Sequence, residues 1–295
     1  MNRVIIIFCI VLSVSFIFQS CDRTPNGPEY EKKITVFGFL KGNAFLTKER
    51  AILITYTQPI DGLYDLSEAA VTDAVVTLTK NDEERLILLQ DIPSKPGFYF
   101  NENEWIEPGA TYHLTIDARG EIVKASTTVP TELVLTTELS PDSVNDVYQT
   151  NLGYLKPIYV ECEKNDQIIL VDMYCNEPYT NAEYIYPFSE DHINPDNQEE
   201  YDGGINGEPR HIQAFMMYRD LFTPNFDSNH VIYWYASMIV FYGSNTMSVL
   251  AIDENYHRYL YSENPEYEGG IQGGIGVFGS ICGENYLLNV MKEDN

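Results

Sequence analysis

The sequence predicts a mainly β protein: an N-terminal immunoglobulin-like β-sandwich, then a second β-rich, sandwich- or barrel-like domain with one short helix. Three observations lead there. From 33 to 130, short runs rich in β-branched and aromatic residues repeat with a period of two, and turn formers separate them. From 131 to 295, further runs of the same kind follow. A single stretch, Asp253–Tyr261, carries both start and stop signals for a helix.

The runs of the first region are Ile34–Leu40, Ala51–Gln58, Ala74–Lys80, Arg85–Gln90, Gly97–Phe100, Thr111–Ala118 and Glu121–Thr128. Gly42-Asn43, Asp61-Gly62, Asn81-Asp82, Pro96-Gly97, Pro108-Gly109 and Arg119-Gly120 mark the turns between them. Seven short strands in about 100 residues is the pattern of an immunoglobulin-like sandwich. Glu107–Ile116 has the form of the pre-strand turn and tyrosine-bearing strand of such modules, and Pro130 ends the last ladder. Thr131–Tyr154 reads as a polar connection.

The candidate strands of the second region are Ile158–Glu163, Gln167–Tyr174, His211–Arg219, His230–Tyr242, Ser248–Ile252, Gly274–Ser280 and Asn285–Met291. His230–Tyr242 is apolar on both faces, which places it centrally. Asn176–Gly207, about thirty residues without periodicity, is acidic and rich in Tyr, Asn, Pro and Gly; so long a loop in a compact domain is functional or mobile. Asp253 can cap the helix, Glu254 suits its first turn, and Glu263-Asn264-Pro265 stops it.

Ahead of both regions, Asn2-Arg3 precedes a 15-residue apolar run, Val4–Phe18, and the small residue Ser20 stands before Cys21. That is the layout of a secretory signal, and it is shorter than the roughly 20 apolar residues of a spanning helix. Phe18-Gln19-Ser20-Cys21 resembles the lipobox of bacterial lipoproteins, which implies cleavage after residue 20 and acylation of Cys21. The chain then divides into a signal peptide (1–20), a polar tether (21–32), a sandwich (33–130) and a second β-rich domain (131–295).

A formal charge of −26 excludes two classes of partner. Phosphate binding uses clustered Lys and Arg, so nucleic acid is not expected, and electrostatic adhesion to anionic lipid is excluded likewise. Membrane attachment must come from acyl chains at Cys21. Of the five cysteines, Cys162, Cys175 and Cys282 lie in the expected domains, and three cannot all pair internally. If Ile158–Glu163 and Gln167–Cys175 form a hairpin through Lys164-Asn165-Asp166, Cys162 and Cys175 sit at opposite ends of it. Buried free thiols are therefore expected.

The motifs that resemble chemical sites fail in their context. Gly274–Gly279 spells GxGxxG, but only sixteen residues follow it and they read as a strand. It is expected to be a glycine-dotted strand for close backbone packing. No HExxH, CxxC or Gly-x-Ser-x-Gly is present, and the five histidines are dispersed, so no metal, cofactor or nucleophile is assigned. Asp253 and His257 share a helix face, but Asp253 is engaged as the cap. The segment 189–204 is rich in carboxylates without the spacing of a calcium loop, so a solvated acidic loop is the expectation.

Thr35-Val-Phe-Gly-Phe39, Ala74-Val-Val-Thr-Leu-Thr79, Pro108-Gly-Ala-Thr-Tyr112 and Ala125-Ser-Thr-Thr-Val-Pro130 stand in the first region. Ile252-Asp-Glu-Asn-Tyr-His-Arg-Tyr259 and Gly273-Gly-Ile-Gly-Val-Phe-Gly279 stand in the second. Together they resemble an uncharacterised family, a domain-of-unknown-function group of Bacteroidota-type outer-membrane lipoproteins that accompany TonB-dependent receptors. The resemblance implies an outer-membrane address and a receptor partner, with no catalytic residues. The expectation is thus a non-enzymatic, lipid-anchored envelope protein acting beside such a receptor in nutrient uptake. The alternative is a glycan- or peptide-binding surface module with Tyr179, Tyr184, Tyr186 and Tyr201 as stacking platforms. A hydrolase is the remote third reading.

Overall fold

The computed structural model describes residues 30–59, 63–81, 86–88, 90–92, 95–135, 139–150, 158–161, 167–177, 183, 185, 213–218, 230–233, 239 and 241–292. The protein is mainly β, in two packed halves. The first half contributes nine strands: β1 (Ile34–Lys41), β2 (Ala44–Leu46), β3 (Ile52–Tyr56), β4 (Val75–Lys80), β5 (Leu86–Leu88), β6 (Gln90–Ile92), β7 (Lys95–Ile106), β8 (Thr111–Ala118) and β9 (Glu121–Thr128). β1, β3, β7 and β2 form one layer, with β6 on β7; β9, β8, β4 and β5 form the other. Alternation works as the sequence implies: Ile34, Val36 and Leu40 of β1 are buried, and they share one core with Val76, Leu78, Leu114, Ile116 and Val123 of the facing layer. Each such side chain contributes about 1.5–3 kcal/mol by leaving water.

Tyr112 closes this sandwich. Its ring is fully buried, and its hydroxyl accepts from Glu107 N at 3.0 Å and donates to the Trp105 carbonyl at 3.3 Å. This is the tyrosine corner of immunoglobulin-like domains, on the residue that Glu107–Ile116 points to. Arg119 (φ 56°) and Gly120 (φ 91°) make the β8–β9 turn, both left-handed as a type I′ hairpin requires. Pro96-Gly97, by contrast, is no turn. It lies inside β7, where β6 and β7 slip register between Asp91 and Ile92. A four-residue helix, α1 (Leu66–Ala69), capped by Asp65, was not legible in the pattern.

The second half holds β10 (Val134–Leu135), β11 (Val144–Tyr148), β12 (Ile158–Glu161), β13 (Ile168–Cys175), β14 (Gln213–Tyr218), β15 (His230–Tyr233), β16 (Gly243–Ile252), helices α2 (Glu254–Tyr261) and α3 (Pro265–Glu268), β17 (Ile271–Gln272) and β18 (Ile275–Met291). Its core joins Ile169, Val171 and Met173 of β13, Met247 and Val249 of β16, and Tyr286, Leu288 and Val290 of β18. Three expectations change here. β12 and β13 are not a hairpin: β12 pairs with β10 and β15, and β13 lies between β14 and β16. The presumed connection Thr131–Tyr154 carries β10 and β11, too short or too polar to announce themselves. Of His230–Tyr242, the described strand β15 pairs with β12 and Tyr242 N donates to the Glu183 carbonyl, while 234–238 and 240 lie outside the described residues. Pro265 ends α2 as expected but also opens α3 from its first turn.

The largest difference concerns the C-terminus. Gly274–Ser280 and Asn285–Met291, read as separate strands, are one 17-residue strand, β18. Its first part pairs in parallel with β1, from Thr35↔Ile275 to Lys41↔Ile281. Its second part pairs antiparallel with β16, from Ile281↔Ile252 to Val290↔Gly243, and in parallel with β11. The last described strand therefore inserts beside the first and belongs to both halves, joining them into one ten-stranded sheet in the order β14-β13-β16-β18-β1-β3-β7-β2, with β11 on β18 and β6 on β7 off that path. β17 likewise pairs with β9.

The GxGxxG motif is explained by this insertion. Gly276 sits at φ 108°, and a Cβ there would overlap the carbonyl oxygen of Val36 on β1. At Gly279 a Cβ would stand 3.0 Å from Asp253 Oδ1 and 3.1 Å from Tyr256 Cβ, so the helix would have to give way by a few tenths of an ångström. Gly276→Ala should destabilise the protein by on the order of 2–4 kcal/mol. Gly120→Ala, whose added Cβ meets nothing, should cost only about 1 kcal/mol. Equilibrium denaturation of the two variants distinguishes them; equal losses would contradict the packing role of Gly276.

Candidate functional site

The most constructed polar site lies where α2 begins, at the seam between the halves. The inward alternation of β1 leaves Phe37 and Phe39 on its outer face, where α2 packs on Phe39 and beside Phe37, which stays exposed. The Tyr256 ring centre is 4.4 Å from that of Phe39, and Tyr259 is 6.2 Å from Phe37. This places the N-terminus of the helix against β9 and β18. Asp253 caps it as the sequence indicates, accepting from Tyr256 N at 3.0 Å.

The same carboxylate makes contacts that no local pattern reveals. Oδ2 accepts from Thr127 Oγ1 of β9 at 2.6 Å, and Oδ1 accepts from Ser280 N of β18 at 3.1 Å. Asp253 N in turn donates to the Ser280 carbonyl at 3.0 Å. Ser280 Oγ lies 2.6 Å from Thr127 Oγ1 and donates to the Thr128 carbonyl at 3.1 Å. Asn255 Nδ2 donates to the carbonyls of Ser126 (2.7 Å) and Phe278 (2.9 Å). One helical turn thus ties a strand of the first half to the strand shared by both. Burial pushes the Asp253 carboxyl above its ordinary value, against the opposing pull of the bonds from Thr127, Tyr256 and Ser280.

Beside this clasp is a groove of about 400 Å³ lined by Ser126–Thr131, Gln167, Ile168 and Ile252–Asn255. Gln167 Nε2 donates to the Thr131 carbonyl at 2.8 Å. Two buried polar atoms on its wall, Thr131 Oγ1 and Gln167 Oε1, have no hydrogen-bond partner among the described residues. An acceptor and a hydroxyl of this kind suit a small neutral polar group, whereas Asp253 and Glu254 at the same wall disfavour an anion.

Asp253 and His257 do not act as a pair. Asp253 turns to β9 and β18, while His257 stacks on Tyr261 at 5.6 Å and its buried Nδ1 has no hydrogen-bond partner among the described residues. Cys175 and Cys282 are buried free thiols, and burial pushes Cys282 up to about 11, which keeps it protonated. Among the described residues, no group of three or more His, Cys, Asp or Glu side chains is placed to hold a metal ion. Cys21, Cys162, Tyr179, Tyr184, Tyr186, Tyr201 and the acidic segment 189–204 lie outside the described residues. Near that segment, Asn176 bonds to Ser244 and Thr246, Glu183 pairs with Lys292, and Ile185 is buried in the second core.

Comparison with known proteins gives a family match over most of the chain: the family described as Domain of unknown function (DUF4249) matches residues 22–281. No protein with a curated description matches. Among solved structures, the chain is similar to a titin fragment at 9% identity, covering 88% of this chain and 99% of that one, with a TM-score of 0.20. It is also similar to the FN1–FN3 domains of chicken CNTN1 at 9% identity, covering 86% and 68%, with a TM-score of 0.17. Domains 4 and 5 of the S-layer protein SbsC match at 13% identity, covering 89% and 98%, with a TM-score of 0.20.

The clasp has a titration signature. Because the folded-state pKa of Asp253 is raised above its ordinary 3.8, the folded protein holds this proton more tightly than the unfolded chain does. The resulting stability is present in full below the unfolded value and is lost as pH rises through the folded value. Asp253→Asn should therefore flatten the fall in stability with pH immediately above about pH 4. Denaturant unfolding across that window checks it, and an unchanged slope would assign the titration to another group.

Proposed function

The chain belongs to the DUF4249 family, a family of unknown function, and from that starting point we propose that it is a non-enzymatic, lipid-anchored protein of the cell envelope. In this reading Cys21 carries the lipid, the address is the outer membrane, and the folded body is a binding or accessory component beside a TonB-dependent receptor in nutrient uptake. The observation that carries the proposal is the junction at Ser20-Cys21. A 15-residue apolar run, Val4–Phe18, ends just before it, and the family match begins at Asp22, immediately after Cys21. The −26 charge leaves acyl chains as the means of attachment. The body suits a rigid platform, since a shared strand and a hydrogen-bonded clasp fix its two halves together.

A second reading, a glycan- or peptide-binding surface module, draws support from one further feature. Phe45 and Trp105 are both exposed and pack edge to face, with ring centres 4.9 Å apart. Two aromatic rings open to solvent give a sugar ring or an extended peptide a place to stack.

Growth with an alkyne fatty acid tests the anchor. The wild type should be labelled and recovered with membranes, and Cys21→Ser should lose the label completely and move to the soluble fraction. Mild crosslinking in cells should recover a TonB-dependent receptor with the wild type; recovery of no envelope protein would count against the accessory role. For the second reading, Trp105→Ala should reduce binding on a glycan array at least about tenfold, equivalent to 1.4 kcal/mol. Binding that persists in Trp105→Ala and in Tyr179, Tyr184, Tyr186 and Tyr201 variants would exclude it.

A further inference from the structure

We propose that the end of the first sandwich from which the chain leads back to Cys21 is itself a lipid-contacting surface, seating on the bilayer once the protein is tethered. The geometry of this inference rests on the lipid-anchor reading above. The fold takes hold of the chain at Tyr30, whose hydroxyl donates to the Thr57 carbonyl. Lys33 N donates to Thr57 Oγ1 at 3.0 Å, and Thr57 N donates to the Lys33 carbonyl at 2.8 Å. Only eight residues lie between Cys21 and Tyr30, and the nine steps of chain from one to the other reach at most about 30 Å. An acylated Cys21 therefore holds this end of the sandwich near the headgroups.

That same end presents apolar and aromatic side chains to solvent. Leu63 is 99% exposed and Tyr64 63%. They are held there, because Gln58 grips Asp65 twice, accepting from its N at 2.8 Å and donating to its carbonyl at 3.0 Å. Tyr267 is 57% exposed with Lys33 Nζ 5.5 Å from its ring centre, and Tyr30 is 46% exposed. Ile122 of β9, whose carbonyl oxygen lies against Gly273, is exposed as well. A leucine fully open to water in a hydrogen-bonded loop serves no core. Tyrosines beside lysines are the residues that settle at a membrane–water boundary, rings at headgroup level and ammonium groups in water. The patch is too small to hold a free protein on a membrane, but a short tether raises its effective concentration so that weak contact suffices.

The test places an environment-sensitive fluorophore at Leu63→Cys, with Glu102→Cys at the far end of the sheet as the comparison site, both in a Cys162→Ser background. The protein is mounted on phosphatidylcholine vesicles containing a headgroup quencher in two ways: as the acylated lipoprotein, and as the chain from Asp22 with an N-terminal histidine tag on nickel-chelating lipid. The probe at 63 should be blue-shifted and quenched at least about threefold more than that at 102 on both mounts. Adding Tyr64→Ser and Tyr267→Ser should bring it down toward the level at 102. Equal quenching at the two sites on both mounts would overturn the proposal. If Cys21 proves not to be acylated while the tagged chain shows the difference, the anchor reading fails and the surface stands. Shielding of residue 63 in native envelope vesicles but not on protein-free bilayers would overturn the lipid assignment and give the surface to a protein partner.

Discussion

The pairing of Ile275–Met291 with strands from both ends of the chain is the interaction on which the rest of the structure depends. A parallel pair cannot close through a short turn, so β1 and β18, about 240 residues apart, are brought together by the fold of the chain between them. Two consequences follow. The two halves share an uninterrupted sheet, which couples their unfolding, and β1 is sealed on the flank that an exposed edge strand would leave open to aggregation. The pairing also dictates composition, since β18 must carry glycine wherever β1 or α2 approaches too closely for a side chain.

The Asp253 clasp is the second tie, and its energetics are of a different kind. A buried carboxylate is costly to desolvate, and it is tolerated because a hydroxyl and two backbone N–H groups converge on it. The geometry is specific: Thr127 comes from β9, Ser280 from β18 and Tyr256 from the helix itself, so the carboxylate is satisfied only when all three elements are in place. That converts a local helix cap into a check on the assembly of the two halves. It also explains why the most acidic-looking position of the seam is structural: its acceptor sites are already occupied.

The chain is acidic overall, yet the sandwich end where Tyr30 and Lys33 enter the fold exposes Leu63, Tyr64 and Tyr267, and the opposite end exposes the Phe45–Trp105 pair, with an uninterrupted sheet between them.

The sequence by itself determined the elements whose cause is local. Alternation placed β1, β3, β4, β8 and β9, because a side chain in a strand faces core or solvent by its own position. Tyr112 announced the corner, Arg119-Gly120 the hairpin, and Asp253 with Pro265 the limits of α2. What only the tertiary structure decided was partnership at a distance. That β18 is one strand shared by two halves, that β12 and β13 lie in different sheets, and that Thr127 and Ser280 satisfy Asp253 all depend on contacts more than a hundred residues apart or on the placement of intervening chain. The glycines of 274–279 gave a hint of close approach, but not of what approaches. A glycine records that space is needed; the residue that fills the space is chosen by the fold.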